Sequence, residues 1–292
     1  MDNFLQAWQT FPLRLDPVFL RIGGLQLRYY GVMFLSAVLM AYFLSLLRVR
    51  RGETVYSIRQ VDDYYTWVIF GVVAGGRLGY VLFYNAAYYL HNPLEIFLPF
   101  DMQNGFRFTG ISGMSFHGGF LGVILVTYFF CRKQKISTRE FLDFLIPAVP
   151  GGYIFGRLGN FLNGELFGRP TAMPWGMYFP ADESGLLRHP SQLYEAFFEG
   201  LVLFVLLWSL RRKPPFAGFL FALYVFGYGF VRFFIEYTRE PDAQLGLVFG
   251  PFTMGQGLCF LMAVSGLGLM ALWRRTVRKK NNGRQDRRGK NN

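Results

Sequence analysis

Three arginines, Arg77, Arg157 and Arg232, stand inside otherwise apolar stretches of sequence. A guanidinium at the centre of a membrane helix costs roughly 2.5 to 3.5 kcal/mol on insertion scales, so each needs a partner or a task. Arginine's planar fork bonds two oxygens of a phosphate at once, and a lipid phosphate is the anionic object within reach of such a position. The same residues could instead pair with acids simply to survive burial: Arg232 with Glu236, four residues on along one helix, and Arg157 with Glu165 or Glu236. Tyr30, His117, Asn160, Glu165 and Glu236 lie at the ends of apolar stretches, and His189 lies in a polar loop.

The elements that must position these groups follow from composition. Of 292 residues, 52% are apolar and only 16% are charged, with 34 phenylalanines and 17 tyrosines. A soluble core of this size needs no such load of aromatics, so the solvent for much of the chain is lipid. Seven apolar runs of spanning length occupy roughly 27 to 47, 66 to 84, 116 to 131, 141 to 162, 193 to 209, 216 to 237 and 252 to 273. They predict an all-α integral membrane protein of seven transmembrane helices, a single membrane domain over 1–273 and a basic tail over 274–292. The first 25 residues lack a basic segment, an apolar segment and a cleavage site in that order, so no removable signal peptide is expected.

Basic residues orient the bundle. Twenty of the 30 fall after the first, third and fifth runs and in the tail, including all six lysines. The positive-inside rule makes that side cytoplasmic, which puts the N-terminus in the periplasm and the C-terminus in the cytoplasm. The net charge of +12 then serves orientation, and the tail reads as a solvated anchor beside anionic lipid rather than a nucleic-acid arm. Arg77, Arg157 and Arg232 all lie on helices running outward, 11 to 16 residues past the start, which places them in the outer half of the membrane. Tyr30, His117, Asn160, Glu165, Glu236 and His189 fall at the same depth, so a polar, positively charged chamber near the outer surface is expected. Glycines at four-residue spacing (Gly71, Gly75, Gly79; Gly118, Gly122; Gly152, Gly156; Gly164, Gly168) predict close helix packing around it.

Several chemistries are excluded. Asp62 and Asp63 belong to the cytoplasmic side, so no acidic cluster can hold magnesium in the outer half. There is no CxxC or HExxH, three dispersed histidines make no zinc site, and neither metal nor cofactor is expected. No lysine lies in an apolar run to form a Schiff base, and Cys131 and Cys259 form no disulfide framework. With no nucleophile beside His117, an enzyme built on this site would activate an incoming one. A carrier for an anionic lipid or solute is the competing class, since buried arginines and glycine-broken helices occur there too. A carrier needs access from both sides, whereas the buried polarity here is confined to one half. A seven-helix receptor shares the topology alone.

Six blocks carry a more specific signal: RYYG at 28–31, GGRLGYVLFYN at 75–85, GMSFHGG at 113–119, GRLGNFLNGELFGR at 156–169, RHPSQLYE at 188–195 and GYGFVRFFIEYTREPDAQLG at 227–246. In this order they resemble the prolipoprotein diacylglyceryl transferases of the bacterial inner membrane, over most of the chain; the loop at 170–187 and the tail lie outside the resemblance. The resemblance implies transfer of the sn-1,2-diacylglyceryl group from phosphatidylglycerol to the lipobox cysteine of a preprolipoprotein, with release of glycerol phosphate. It implies functional roles for Tyr30, His117, Arg157, Asn160, Glu165, Gly168, Arg232 and Glu236. Tyr228, Arg239 and His189 lie inside matching blocks. It also implies an active site facing the periplasm, and as partners phosphatidylglycerol, lipobox signal peptides and the membrane, with no nucleic acid.

The residue types suit that chemistry. A cysteine thiol with a pKa near ~8.5 is only slightly ionised at neutral pH, and His117 is the natural base to deprotonate it. In the alternative, His117 stays neutral and donates a hydrogen bond. Arg157 and Arg232 would meet the charge gathering on the departing phosphate. Asn160 and Tyr30 would orient headgroup oxygens, while Glu165 and Glu236 hold the arginines; Gly168 and Tyr228 complete the expected phosphatidylglycerol site.

Overall fold

The computed structural model describes residues 2–22, 25–96, 100–101, 107–108, 113–240 and 247–289, with side chains masked at a few of these, chiefly beyond residue 278. In chain order the helices are α1 (Asp2–Gln9), α2 (Tyr29–Arg50), α3 (Ile58–Tyr84), α4 (Ala86–His91), α5 (Phe116–Gln134), α6 (Thr138–Leu145), α7 (Val149–Leu162), α8 (Ser191–Tyr194), α9 (Leu203–Leu210), α10 (Phe219–Ile235) and α11 (Met254–Gly289). Between α8 and α9 the chain continues as a π-helix over Glu195–Val202. Short antiparallel hairpins, Val18–Ile22 with Leu25–Arg28 and Leu247–Phe249 with Phe252–Thr253 among them, complete the described residues.

Among the described residues five helical segments are long and apolar enough to cross a membrane: Tyr29–Arg50, Ile58–Tyr84, Ser191–Leu210, Phe219–Thr238 and Met254–Arg278. The third predicted run is α5. The fourth, expected as one helix over 141 to 162, is instead broken: α6 ends in a 3₁₀ turn at Ile146–Ala148 before α7 begins. Pro147 and Pro150 account for the break, since a ring without an N–H cannot continue the ladder and is favoured in a first turn.

The chain divides into two compact units, one formed by 1–48 with 142–292 and the other by 49–141. In the second unit α3 and α5 pack through their glycines. A methyl group on Gly75 or Gly122 would collide with the backbone of the facing helix, and one on Gly79 would come within 2.7 Å of the Gly118 Cα. The predicted small-residue packing is therefore present, and it lets two helix backbones touch. At one end of the pair Tyr64 donates or accepts a hydrogen bond with Thr127 at 2.9 Å and packs edge-on against Phe130 and Phe141. At the other end Arg77 donates to the carbonyls of Glu95 (2.5 Å), Ile96 (2.8 Å) and Gly113 (3.4 Å), with its guanidinium over the Tyr89 ring.

In the first unit α7 leans on α2, where Gly152 abuts the Ala37 carbonyl and Gly159 faces Met33 and Tyr30. α10 and α11 cross where Gly229 meets the backbone of Cys259 and Ala263. Buried Arg48 binds the carbonyls of Asp143, Phe144 and Arg211. The Asp143 carboxylate caps the start of α10 by accepting from Gly218 (2.7 Å) and Phe221 (3.0 Å), supplying acceptors to orphan amides at the positive end of that helix. These contacts fix α2, α6, α9 and α10 at one end and set the direction in which α7 and α10 carry their arginines.

Candidate active site

Arg157 lies two turns along α7 and Arg232 near the end of α10. Both reach one oxygen of Glu195, the first residue of the π-helix: Arg157 Nε lies 2.7 Å and Arg232 Nη1 3.0 Å from its Oε2. Arg239, just beyond α10, takes the other oxygen at 2.6 Å. Glu195 is fully buried, and so is Glu199, one π turn on. Glu199 accepts a short hydrogen bond from the Tyr153 hydroxyl and lies 3.4 Å from Arg232. Tyr153 in turn accepts from Arg157 Nε at 2.7 Å, and Tyr228 packs edge-on against its ring.

A second tier fixes the arginines laterally. Arg157 Nη1 donates to Asn160 Oδ1 at 3.3 Å, and Asn160 Nδ2 donates to Glu165 at 2.9 Å. Glu236 lies 3.3 Å from Arg232 and 3.6 Å from Arg239, and Gly255 leaves room for its carboxylate where a methyl group would collide. Nη2 of Arg157 and Nη2 of Arg232 donate no hydrogen bond among the described residues. Two guanidiniums anchored on one carboxylate, each with a terminal nitrogen to spare, make a low-dielectric anion site of the kind that stabilises developing charge. The π-helix matters here, because its wider turn is a distortion that proteins retain chiefly at functional positions.

The loop after α7 closes this tier. Leu166 adopts a left-handed backbone (φ 60°), which is strained for a branched side chain. It is pinned by Ser191 Oγ on its own carbonyl at 3.0 Å and Gln192 Nε2 on the carbonyl of Glu165 at 2.6 Å. Gly168 donates to the His189 carbonyl at 2.8 Å, and its Cα faces the Thr238 carbonyl and His189 so closely that a side chain would collide. Close backbone approach thus accounts for this glycine. His189 Nδ1 lies 3.1 Å from the Tyr194 hydroxyl, and burial holds its imidazole below the ordinary value, favouring the neutral ring. Further out, Arg188 bridges Asp182 and Glu240, and its hydrogen bonds push the Asp182 carboxyl down to about 2.

Of the expected residues, Arg157, Asn160, Glu165, Tyr228, Arg232, Glu236 and Arg239 therefore form one cluster. Gly168 and His189 flank it, and Tyr30 packs on Gly159 beside Asn160. His117 opens α5 in the second unit, two residues after the capping Ser115, with Phe116 against its ring. The pairing of Arg232 with Glu236 is present, but Arg157 is held directly by Glu195 and only through Asn160 by Glu165, which corrects the expected partner. Residues 241–246 of the last sequence block lie outside the described residues. Glu195, Glu199 and Tyr153 are the members that sequence reasoning missed. The signal was present: two carboxylates four residues apart inside an apolar run are as anomalous as the arginines.

The family model for prolipoprotein diacylglyceryl transferase matches residues 17–272. The chain belongs to the prolipoprotein diacylglyceryl transferase family. It is 49% identical over 271 residues to the phosphatidylglycerol–prolipoprotein diacylglyceryl transferase of Chlorobaculum tepidum, covering 92% of this chain and 94% of the relative. The proteins of the same name from Bordetella parapertussis (48%; 88% and 94% covered) and Campylobacter jejuni (43%; 90% and 95% covered) are also similar to it. The chain is thus a transferase of lipoprotein biosynthesis. The likeness reaches from the first hairpin into α11 and takes in every member of the cluster.

Proposed function

We propose that this chain transfers the sn-1,2-diacylglyceryl group of phosphatidylglycerol to the lipobox cysteine of preprolipoproteins. The thiolate sulfur attacks the glycerol carbon that bears the phosphate, a sulfur–carbon bond forms, and the carbon–oxygen bond breaks. Glycerol phosphate departs with the bonding pair. The observation that carries this reading is the convergence of Arg157 and Arg232 on one buried carboxylate oxygen with their Nη2 atoms unspent. Such a pair suits the two non-bridging oxygens of a phosphodiester and gains strength as the leaving phosphate accumulates charge.

Asn160, held by Glu165, and Tyr30 orient headgroup oxygens, and Glu236, Arg239 and Tyr228 support the pair. His117 removes the thiol proton, because a thiol with a pKa of ~8.5 otherwise offers little nucleophile at neutral pH. The protein resides in the bacterial cytoplasmic membrane as a single domain with seven crossings, α5 and the broken α6–α7 pair completing the five long spans. Its N-terminus faces the periplasm, its active site opens towards that side, and the basic tail lies in the cytoplasm, a reading that the arginine and lysine distribution supports. The decisive experiment incubates purified protein with a lipobox peptide and phosphatidylglycerol vesicles. A mass gain of one diacylglyceryl group on the cysteine is expected. Movement of labelled phosphatidylglycerol between leaflets without any peptide adduct would instead make the protein a carrier.

A further inference from the structure

The two buried glutamates of the π-helix are unequally partnered. Glu195 is bound by three guanidiniums at 2.6 to 3.0 Å. Among the described residues Glu199 has only Arg232, at 3.4 Å, and the Tyr153 hydroxyl as direct partners. The ionisable groups that face Glu199 among the described residues are Arg157 and Tyr153 from α7, Tyr224, Tyr228 and Arg232 from α10, Cys259 from α11 and Glu195 on its own helix. Counted with Glu236, the three carboxylates in direct ion pairs with Arg157, Arg232 and Arg239 among the described residues balance those arginines when all are ionised, Glu165 standing one step removed behind Asn160. An incoming phosphodiester adds a negative charge to that set. Uncompensated charge at such burial is strongly unfavourable, so one acid must give way, and the geometry distinguishes which. Glu195 cannot release three guanidiniums without scattering them. Glu199 can surrender its one long contact and keep Tyr153, because a carboxyl group that has gained a proton still accepts from a hydroxyl.

We propose that Glu199 is the exchangeable carboxylate of the phosphate site: it yields Arg232 to the headgroup and takes up one proton from water as phosphatidylglycerol binds. This rests on the phosphatidylglycerol reading above and adds a positioning residue to it. Glutamine mimics the protonated acid in shape and cannot ionise. Glu199→Gln therefore lowers the KM for phosphatidylglycerol relative to the parent, by about tenfold near pH 9, where the parent must find a proton, and by less near pH 6. Glu195→Gln raises KM at both. A second readout needs no variant to fold: when phosphatidylglycerol is added, the infrared difference spectrum of the parent gains a protonated-carboxyl band that shifts in deuterium oxide, which the ester carbonyls of the lipid do not. A KM that rises or stays level in Glu199→Gln, a shift independent of pH, or absence of the infrared band overturns the exchange. If the parent transfers no diacylglyceryl group to the peptide, it is the phosphatidylglycerol reading that fails, and the exchange fails with it.

Discussion

Two places where this chain half-buries arginine within apolar helices differ in what answers the charge. In the second unit Arg77 donates to the carbonyls of Glu95, Ile96 and Gly113 and lies over the Tyr89 ring. In the first unit Arg157 and Arg232 face the carboxylates of Glu195, Glu199 and Glu236. Carbonyls hold a guanidinium by dipoles that cannot leave, because they belong to the backbone whose shape they define. Carboxylates hold it by charges that a better anion can share or displace. An arginine caged by carbonyls is therefore a structural pin, and one held by carboxylates is a site in waiting.

The strongest way to break this distinction is to neutralise the carboxylate that gathers three arginines. Glu195→Gln should reduce turnover about a thousandfold, in keeping with the 3 to 5 kcal/mol that attends removal of one partner of a buried pair. Turnover close to that of the parent, measured by peptide mass shift, would make Glu195 incidental to the site. Next, Arg157→Lys keeps the charge but loses the fork and should lose activity some tens of fold while still inserting in the membrane. Its deficit should stay level as pH rises through ~8.5. The deficit of His117→Asn should narrow over the same range, since solvent then supplies the thiolate that the imidazole no longer generates. A flat His117→Asn profile would make the histidine a hydrogen-bond donor rather than a base.

Arg77→Lys tests the other half of the comparison. Lysine cannot span three carbonyls in a plane, so the thermal midpoint should fall by the equivalent of about 1 to 3 kcal/mol. The KM for phosphatidylglycerol should move little; a large KM change would bring Arg77 into the binding site. The smallest effect belongs to the loop pair Arg188–Asp182. Since the Asp182 carboxyl is held down at about 2, its contribution to stability is full above the ordinary carboxylate range near 4 and vanishes as pH falls towards 2. Asp182→Asn should therefore lower the melting temperature by about 2 °C or less at neutral pH, and the two proteins should converge in acid.

What is legible in the sequence follows this same division. Hydropathy exposes a charge only where the surroundings are apolar and the reader expects that charge to be costly. Arg157 and Arg232 stand out for that reason, and Asn160, Glu165, Glu236 and Arg239 are found because they are close to them along the chain. Glu195 and Glu199 obey the same rule but come from a different helix, and only the fold brings that helix against α7 and α10. The glycine ladders of α3 and α5 are legible because packing is their sole outlet. Helix starts are less so: α3 begins at Ile58 rather than near 66, because the capping box of Ser57 with Gln60 starts a polar turn that an apolar window cannot detect. Nor can apolarity reveal that Pro147 and Pro150 break the fourth run.

The π-helix over Glu195–Val202 works as a phase shifter. Each residue of an α-helix turns the chain by about 100°, and a wider turn delays that rotation for everything that follows. The segment carries two faces that must be aimed independently: Glu195 and Glu199 at the arginines, and Leu207 at Ile146 and Leu220 in the apolar core. Were the stretch rewound as a plain α-helix with no residue removed, the leucine and the glutamates would fall out of step by more than a quarter turn. Either the core or the arginine cluster would then be served, not both. The distortion is what lets one helix answer to core packing at one end and to charge at the other.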